Sequence, residues 1–221
     1  MTLESSKTLG GIGAILLFIG IFPVINYFGI IDLVGAILVL VGLYGLSGYF
    51  RERGIFNNAL IAVVVLIIGS IIVAVLAFTV LFANASAILY QIYPGWDGNW
   101  ASLQGMTPDP NAFNNANFAD WIPIFGALAA VWIGAWIIAI ISTFFIRRSL
   151  VTVANRSNTG LFGTAGLLML IGGFLAIVLI GYLLIWIGFL LMAIAFFQLK
   201  HTETTETPPA TAYSPPPPTT V

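Results

Sequence analysis

The chain has 221 residues, of which 60% are apolar and only 7% are charged. A soluble core cannot hold this much apolar surface, because soluble domains are about 45–50% apolar and about 25% charged. The net charge of -1 says nothing about partners, but the chain has no basic stripe of the kind that binds nucleic acid. It also has no cysteine, which excludes disulfides and thiolate chemistry. The apolar residues fall in blocks of about eighteen or more, which predicts an all-α integral membrane bundle of about six transmembrane helices.

The first block, residues 1–50, is about twice as long as one crossing of the bilayer. A helix needs about 20 residues to span roughly 30 Å of hydrocarbon, so we expect these residues to form an N-terminal transmembrane hairpin. Pro23, Asn26 and Gly29 mark its turn. Because the block lacks the Ala-x-Ala-like site that ends a signal peptide, we expect it to be a retained first span.

The two middle blocks, residues 55–82 and 121–146, are each predicted to form one helix, the third and fourth of the bundle. Between them lies a loop, residues 83–120, rich in rings that suit either a belt at the headgroup level or an extracytoplasmic binding surface. These rings are Tyr90, Tyr93, Trp96, Trp100, Phe113, Phe118 and, at the loop's end, Trp121.

The last block, residues 161–199, is predicted to form a C-terminal transmembrane hairpin with its turn near Gly181. The alternative is a broken or re-entrant pair, which would have to be buried in protein. Residues 202–221 are rich in Thr and Pro and have no apolar surface to bury, so we expect a disordered cytoplasmic tail. A docking ligand for a proline-reading partner is the other interpretation of the tail.

Orientation follows from the basic residues, which all lie on one side of the six-helix arrangement, whereas the loop of residues 83–120 carries none. They are Lys7, Arg51, Arg53, Arg147, Arg148, Arg156 and Lys200. Because cytoplasmic loops are enriched in Lys and Arg, we expect a multi-pass protein of the cell membrane with both termini in the cytoplasm.

Two sets of small residues lie on single helix faces, where they permit close approach of helix backbones. They are Gly42, Gly45 and Gly48, spaced by three, and Gly126, Ala130 and Gly134, spaced by four. Both packing within one subunit and packing between subunits fit this pattern. A shift of the chain by 153 residues also places four glycines of the first hairpin, Gly10, Gly13, Gly20 and Gly35, on Gly163, Gly166, Gly173 and Gly188.

Asp32 is the only acidic residue inside an apolar block and lies at the start of the predicted second helix. A carboxylate there can cap free backbone N–H groups and meet the positive end of the helix dipole. The sharper alternative is a polar site that binds a cation in a cavity. The hydroxyl residues of the middle and later spans are expected to bond to their own helix; they are Ser70, Thr79, Ser142 and Thr143.

The sequence lacks the residues that catalysis within the bilayer would need. The chain has one histidine, His201, next to Lys200 at the end of the last span, so neither a His-based metal site nor a Ser/His/Asp triad can be assembled in the bilayer. Asp32 has no second carboxylate nearby for aspartyl catalysis. We therefore expect no enzyme activity, no catalytic residue, no metal and no cofactor.

Four segments carry a resemblance to a known family. They are SSKTLGGIG at residues 5–13, IFNNAL at 55–60, TGLFGTAG at 159–166 and AIAFF at 193–197. The chain resembles a largely archaeal family of multi-pass membrane proteins known as domain of unknown function 996. The resemblance implies a membrane location and an archaeal source, and it brings no reaction and no site residues.

These observations favour a structural or interaction protein that assembles with others in the membrane. Its expected partners are membrane lipids and a second copy or another membrane protein. The alternative function is a transporter or channel for a neutral or apolar solute, which the two hairpins and the glycine-broken helices would suit.

Overall fold

The computed structural model describes residues 1–22, 26, 29–112 and 118–200, without the side chains of Phe118 and Asp120. The predicted turn residue Pro23, the loop residue Phe113 and the predicted tail of residues 202–221 lie outside the described residues. Within them, the chain is helical and contains no strand. The helices are α1 (Leu3–Gly20), α2 (Ile30–Tyr49), α3 (Arg53–Ala83), α4 (Ala85–Ile92), α5 (Phe118–Ser157), α6 (Gly160–Leu175) and α7 (Ile180–Gln198), with short 3-10 helices at Trp100–Gly105 and Ala176–Val178.

In the described part of the chain, six helices are long and apolar enough to cross a membrane: α1, α2, α3, α5, α7, and α6 together with its following 3-10 turn. This confirms the predicted all-α bundle. Length and apolar composition of this kind indicate a membrane location.

The six long helices close into a ring. Each contacts two others: α1 lies between α2 and α7, α3 between α2 and α5, and α6 between α5 and α7. We call one end of the ring the basic end; it contains the first turn of α1, the α2–α3 and α5–α6 turns and the last turn of α7. The opposite end, which holds the long loop, is called the loop end.

The largest buried side chains lie toward the basic end of the ring. Phe162 of α6 and Phe196 of α7 meet edge to face with ring centroids 5.1 Å apart, and the cluster around them also includes Leu3, Leu43, Leu46, Ile55, Leu150, Val153, Met169 and Met192. Every long helix contributes to this cluster. The basic end is therefore the part of the bundle in which burial of side chains is most complete.

Two tryptophans join helices at the loop end. Trp136 of α5 donates its indole N–H to the carbonyl oxygen of Phe174 on α6 at 2.9 Å, and Trp186 of α7 donates to that of Phe18 on α1 at 2.9 Å. Both carbonyls belong to the last turn of their helix, where carbonyl oxygens lose the N–H donors that a continuing α-helix would supply. In a solvent without water such groups need a protein donor, and the two indoles supply it.

The helices differ greatly in length. α1 and α2 have 18 and 20 residues, so at about 1.5 Å per residue they are about 27 and 30 Å long. α3 and α5 have 31 and 40 residues, which makes them about 46 and 60 Å long. About a third of α3 and of α5, at the loop end, therefore extends beyond the rest of the ring.

α5 ends at Ser157, whereas the fourth helix is predicted to end at residue 146. The prediction places the end at the charges of Arg147 and Arg148, but the helix continues because Leu150 and Val153 on its inner face are completely buried. Arg148 stays on the outside, with its guanidinium carbon 6.0 Å from the centre of the Phe144 ring.

The turn of the C-terminal hairpin lies at Ala176–Val178 and Leu179, slightly before the predicted position near Gly181. Leu179 adopts the left-handed region, with φ of 66°. Gly181 instead lies in the first turn of α7, directly against the carbonyl oxygen of Gly172 on α6. Gly181 allows α6 and α7 to pack closely, whereas the chain reverses direction at Ala176–Leu179.

The glycines related by the shift of 153 residues share contacts only in part. Gly35 and Gly188 each lie against the other helix of their own hairpin, but Gly13 and Gly166 differ. A Cβ on Gly13 would lie 2.7 Å from the carbonyl oxygen of Gly35 on α2, whereas a Cβ on Gly166 would lie 3.2 Å from the Cα of Arg147 on α5. The equivalent glycine thus faces its hairpin partner in the first case and a different helix in the second.

Replacing Gly13 by alanine should destabilise the protein. The new methyl group would lie 2.6 Å from the backbone nitrogen of Val39 and 2.7 Å from the oxygen of Gly35. Backbone atoms cannot rotate away, so α1 and α2 must separate, at a cost of about 1–3 kcal/mol. Thermal unfolding of the detergent-solubilised protein measures the loss.

Gly163→Ala is the matched control, because its Cβ would meet only the Ala154 Cβ, at 3.7 Å. This variant should be unchanged or more stable, since alanine favours helix over glycine by about 1 kcal/mol. Equal losses in the two variants would contradict the close contact described for α1 and α2.

Candidate functional site

The first set of small residues lies mostly inside the α1–α2 hairpin. A Cβ on Gly42 would meet the Cα of Gly10 at 2.7 Å, and Gly45 lies directly against the Ser6 hydroxyl. Both glycines are buried, so they permit two helix backbones of the same subunit to touch. Gly48 differs, because it is exposed and a Cβ added there would have no atom within 4 Å.

The second set faces away from the described part of the subunit. No atom lies within 4 Å of the Cβ position of either Gly126 or Gly134, and Gly126 and Ala130 are exposed. A face of small residues at four-residue spacing is the surface that allows a second helix to approach closely. Within the described residues of one subunit, no helix occupies this face.

This open face belongs to a larger apolar surface, which we call the protruding hairpin: residues 74–83 of α3 and 121–131 of α5. The side chains of Phe78 and Phe82 are each 67% exposed, and Ile122 of α5 is 56% exposed. Residues 70–83 contain no charged residue, and residues 121–146 contain none either. The protruding hairpin is therefore apolar on most sides and covered by little of its own chain.

The position of the protruding hairpin follows from contacts along α5. Trp132 and Trp136 line a small cavity, of about 20 Å³, together with Ala176 and Tyr182 at the α6–α7 turn. The loop ends of α6 and α7 thus lie level with this part of α5. The residues of α5 before Trp132 extend past that level by about 20 Å, at about 1.5 Å per residue.

Among the described residues, the Asp32 carboxylate accepts from the Asn26 side chain at the start of α2. The N-cap residue is Gly29, and the capping hydrogen bond comes from Asn26, whose side-chain oxygen accepts from the Ile31 backbone N–H at 3.1 Å. The Asn26 amide nitrogen donates to Asp32 at 2.7 Å and to the carbonyl oxygen of Gly20 at 2.9 Å. Asp32 therefore holds the residue that supplies the capping bond, and the absence of a side chain on Gly20 leaves room for its carboxylate.

The hydroxyl residues divide into two groups. Thr143 donates to the Ala139 carbonyl of its own helix at 2.8 Å, and Ser70 and Thr79 also bond within α3, as predicted. Ser142 does not follow the prediction, because its hydroxyl donates to the Ala62 carbonyl of α3 at 3.0 Å. This bond crosses between helices, and sequence spacing alone carries no sign of it.

The aromatic loop is partly folded on itself. Trp96 is only 4% exposed; Tyr90 and Trp100 pack on it with ring centroids at 5.0 and 5.6 Å. Next to this cluster, hydrogen bonds from the Ser102 hydroxyl and the Asn99 backbone N–H hold the pKa of Asp97 below its usual range. The stability from these bonds is present above the unfolded-state pKa of Asp97 and is lost as the pH falls through the lowered value.

In the part of the chain that the structure describes, no group of three His, Cys, Asp or Glu side chains lies close enough to hold a metal ion. The site residues are thus of two kinds: the uncovered apolar face on the protruding hairpin, and the polar contact of Asn26 with Asp32 at the loop end of the ring.

Replacing Asn26 by alanine should destabilise the loop end more than Asp32→Asn does. The first change removes hydrogen bonds to Gly20, Ile31 and Asp32, at a cost of about 1–3 kcal/mol, whereas an asparagine at 32 still offers an oxygen to Asn26. Thermal unfolding compares the two variants. Asn58→Ala, which removes one bond to the Gly54 carbonyl of its own helix, is the control for loss of an asparagine.

If Asp32 instead bound a cation, Asp32→Asn would abolish any stabilisation by added Na⁺ or Ca²⁺. If these cations stabilise the wild-type protein but not Asp32→Asn, the conclusion that the Asp32 carboxylate only holds Asn26 in place is wrong.

Similarity to known proteins covers most of the bundle. Residues 31–190, more than two thirds of the chain, match the family described as protein of unknown function (DUF996). A search of curated proteins and a search of solved structures gave no match. The matched residues run from the start of α2 into α7 and include the protruding hairpin.

Proposed function

The chain belongs to the DUF996 family, whose description names no function, and from the structure we propose that it is an interaction protein that assembles in the cell membrane. The observation that carries this proposal is the protruding hairpin, an apolar surface that the described part of its own subunit leaves largely uncovered. Large exposed apolar patches mark sites where another protein or a membrane makes contact.

The lengths of the helices determine which part of the protein surface can be covered by lipid. The hydrocarbon core is roughly 30 Å thick, which is about the length of α1 and α2. With these short helices filling the core, the protruding hairpin lies beyond the hydrocarbon, and its phenylalanine side chains would face water. Contact with another protein removes that surface from water, at about 25 cal/mol for each Å².

A second copy of the chain is the partner we favour. The face of Gly126 and Ala130 carries no charge, so it does not favour a charged partner. Small residues at four-residue spacing allow the same helix of a second copy to pack closely against this face. The same face on both subunits would form a closed two-fold contact. We propose the orientation that follows from the basic end, with both termini in the cytoplasm and the protruding hairpin outside.

The alternative, a transporter or channel for a neutral or apolar solute, needs a path through the ring. At the basic end Leu43, Phe162 and Phe196 fill the space between helices and are fully buried. At the loop end the Asp32 carboxylate is bonded to Asn26. We therefore prefer the interaction role, and we propose no enzymatic activity.

Replacing Gly126 and Ala130 by leucine should weaken self-association at least about tenfold, equivalent to about 1.4 kcal/mol. Outside its own helix turn, no described atom lies within 4 Å of the Cβ position at 126, so the fold should persist in the leucine variant while the approach of a second helix is blocked. Energy transfer between labelled copies in phosphatidylcholine vesicles, measured over a range of protein-to-lipid ratios, gives the association constant.

Gly48→Leu is the matched control, because Gly48 is also an exposed helix glycine with open space around it, but at the basic end. It should leave association unchanged. A monomer at all protein-to-lipid ratios, or equal loss in the control, would contradict the proposal.

A further inference from the structure

A second surface, separate from the protruding hairpin, lies at the basic end. A cavity of about 580 Å³ opens beside the α2–α3 turn, with Tyr44, Gly48, Tyr49, Arg51 and Arg53 around it. Gly48 has no side chain to fill this space and no neighbour within 4 Å of its Cβ position. The cavity therefore exists because glycine occupies the exposed face of α2 one turn after Tyr44.

The α2–α3 turn is held rigid by a pair of hydrogen bonds. The Glu52 backbone N–H donates to the Ser47 carbonyl at 2.9 Å, and the Ser47 hydroxyl donates to the Glu52 carbonyl at 2.9 Å. Between them Arg51 adopts the left-handed region, with φ of 52°. The two arginines at the cavity thus project from a backbone that is already ordered.

Their charges are not neutralised by the acidic residue that separates them. The Glu52 carboxylate accepts from Arg156 of α5 at 2.7 Å, which draws it toward the α5 side. Among the described residues, neither Arg51 nor Arg53 forms an ion pair, and both are exposed. The cavity therefore has two cationic side chains that no described acidic group pairs with, and these suit an anionic ligand.

The ligand should also have an apolar part. Leu33, Ile37 and Tyr44 are exposed and, at spacings of four and seven residues, lie on the same face of α2 as Gly48. This apolar stripe begins at the cavity and runs toward the loop end. The Tyr44 ring packs edge to face against Phe56, with centroids 5.1 Å apart, and lines the same cavity as the arginines.

We propose that this cavity binds the headgroup of an anionic phospholipid, with the phosphate at Arg51 and Arg53 and an acyl chain along the apolar stripe of α2. Guanidinium groups bind phosphate oxygens through paired, charge-assisted hydrogen bonds. Tyrosine suits the headgroup level because its ring is apolar and its hydroxyl is polar. The proposal rests on the membrane placement of the ring and is independent of self-association through the protruding hairpin.

Native mass spectrometry of the full chain released from detergent tests the proposal with two lipids of identical acyl chains, phosphatidylglycerol and phosphatidylcholine. Phosphatidylglycerol should be retained preferentially. The double variant Arg51→Gln and Arg53→Gln should bind it about thirtyfold more weakly, as expected for two cationic contacts at about 1 kcal/mol each.

Two further variants separate the site from general attraction to positive charge. Gly48→Leu keeps both arginines but fills the cavity, and should also reduce phosphatidylglycerol binding. Arg148→Gln removes an exposed arginine that lies outside the cavity, over the Phe144 ring, and should leave binding unchanged. The double arginine variant should still self-associate, so failure of lipid binding is distinguishable from failure of the proposed function.

Three results would overturn the proposal. One is equal retention of phosphatidylcholine, and another is an equal loss of binding in Arg148→Gln. The third is complete displacement of the lipid by millimolar inorganic phosphate, which would mean that the cavity binds a free phosphate and makes no use of the acyl chain.

Discussion

The contact between α3 and α5 fixes the shape of the whole bundle. Ser142 and Ser149 of α5 donate to the carbonyl oxygens of Ala62 and Ile55 of α3, and the partners are spaced by seven residues on both helices. A spacing of seven returns to the same helix face after two turns, which suits two long helices packed with their axes nearly aligned. Gly69, seven residues after Ala62, then admits the Ile138 side chain.

Because these two serine bonds fix α3 and α5 relative to each other, they also determine at which end the two helices extend beyond the others. The two helices lie together at the basic end, where Ile55, Leu150 and Val153 join the buried cluster. Since neither can slide along the other without breaking both serine bonds, the residues that exceed the length of the other helices must extend from the loop end. The protruding hairpin is thus a consequence of register and helix length, and the proposed assembly role depends on it.

The four shorter helices are held together by different contacts from those between α3 and α5. In the α1–α2 and α6–α7 hairpins, glycines bring backbones into contact, as Gly13 does with Gly35 and Gly172 with Gly181. The indoles of Trp136 and Trp186 then join these hairpins to their neighbours through carbonyls in the last turns of α6 and α1. Close backbone packing and a few directed bonds replace the hydrophobic drive that lipid does not provide between helices.

The number and class of the helices could be predicted from the sequence because apolar length alone distinguishes a crossing helix. The residues that act between helices could not. Gly42 and Gly126 carry the same small-residue signal, yet one is buried against α1 and the other faces open space, because spacing identifies a face but not its neighbour. For the same reason the sequence predicts Asp32 as the cap of α2, whereas its position relative to Asn26 depends on the turn between α1 and α2.

The most direct test of the protruding hairpin measures distances from the loop end of α1 to two points on α3. The chain has no cysteine, so cysteines introduced for spin labels at Ile21 and Ile68, and in a second sample at Ile21 and Leu81, are the sole labelling sites for pulsed electron paramagnetic resonance. Leu81 lies about 20 Å farther along α3 than Ile68, so we predict the longer distance for the Leu81 pair. Equal distances, or a shorter distance to Leu81, would mean that α3 does not extend beyond the ring.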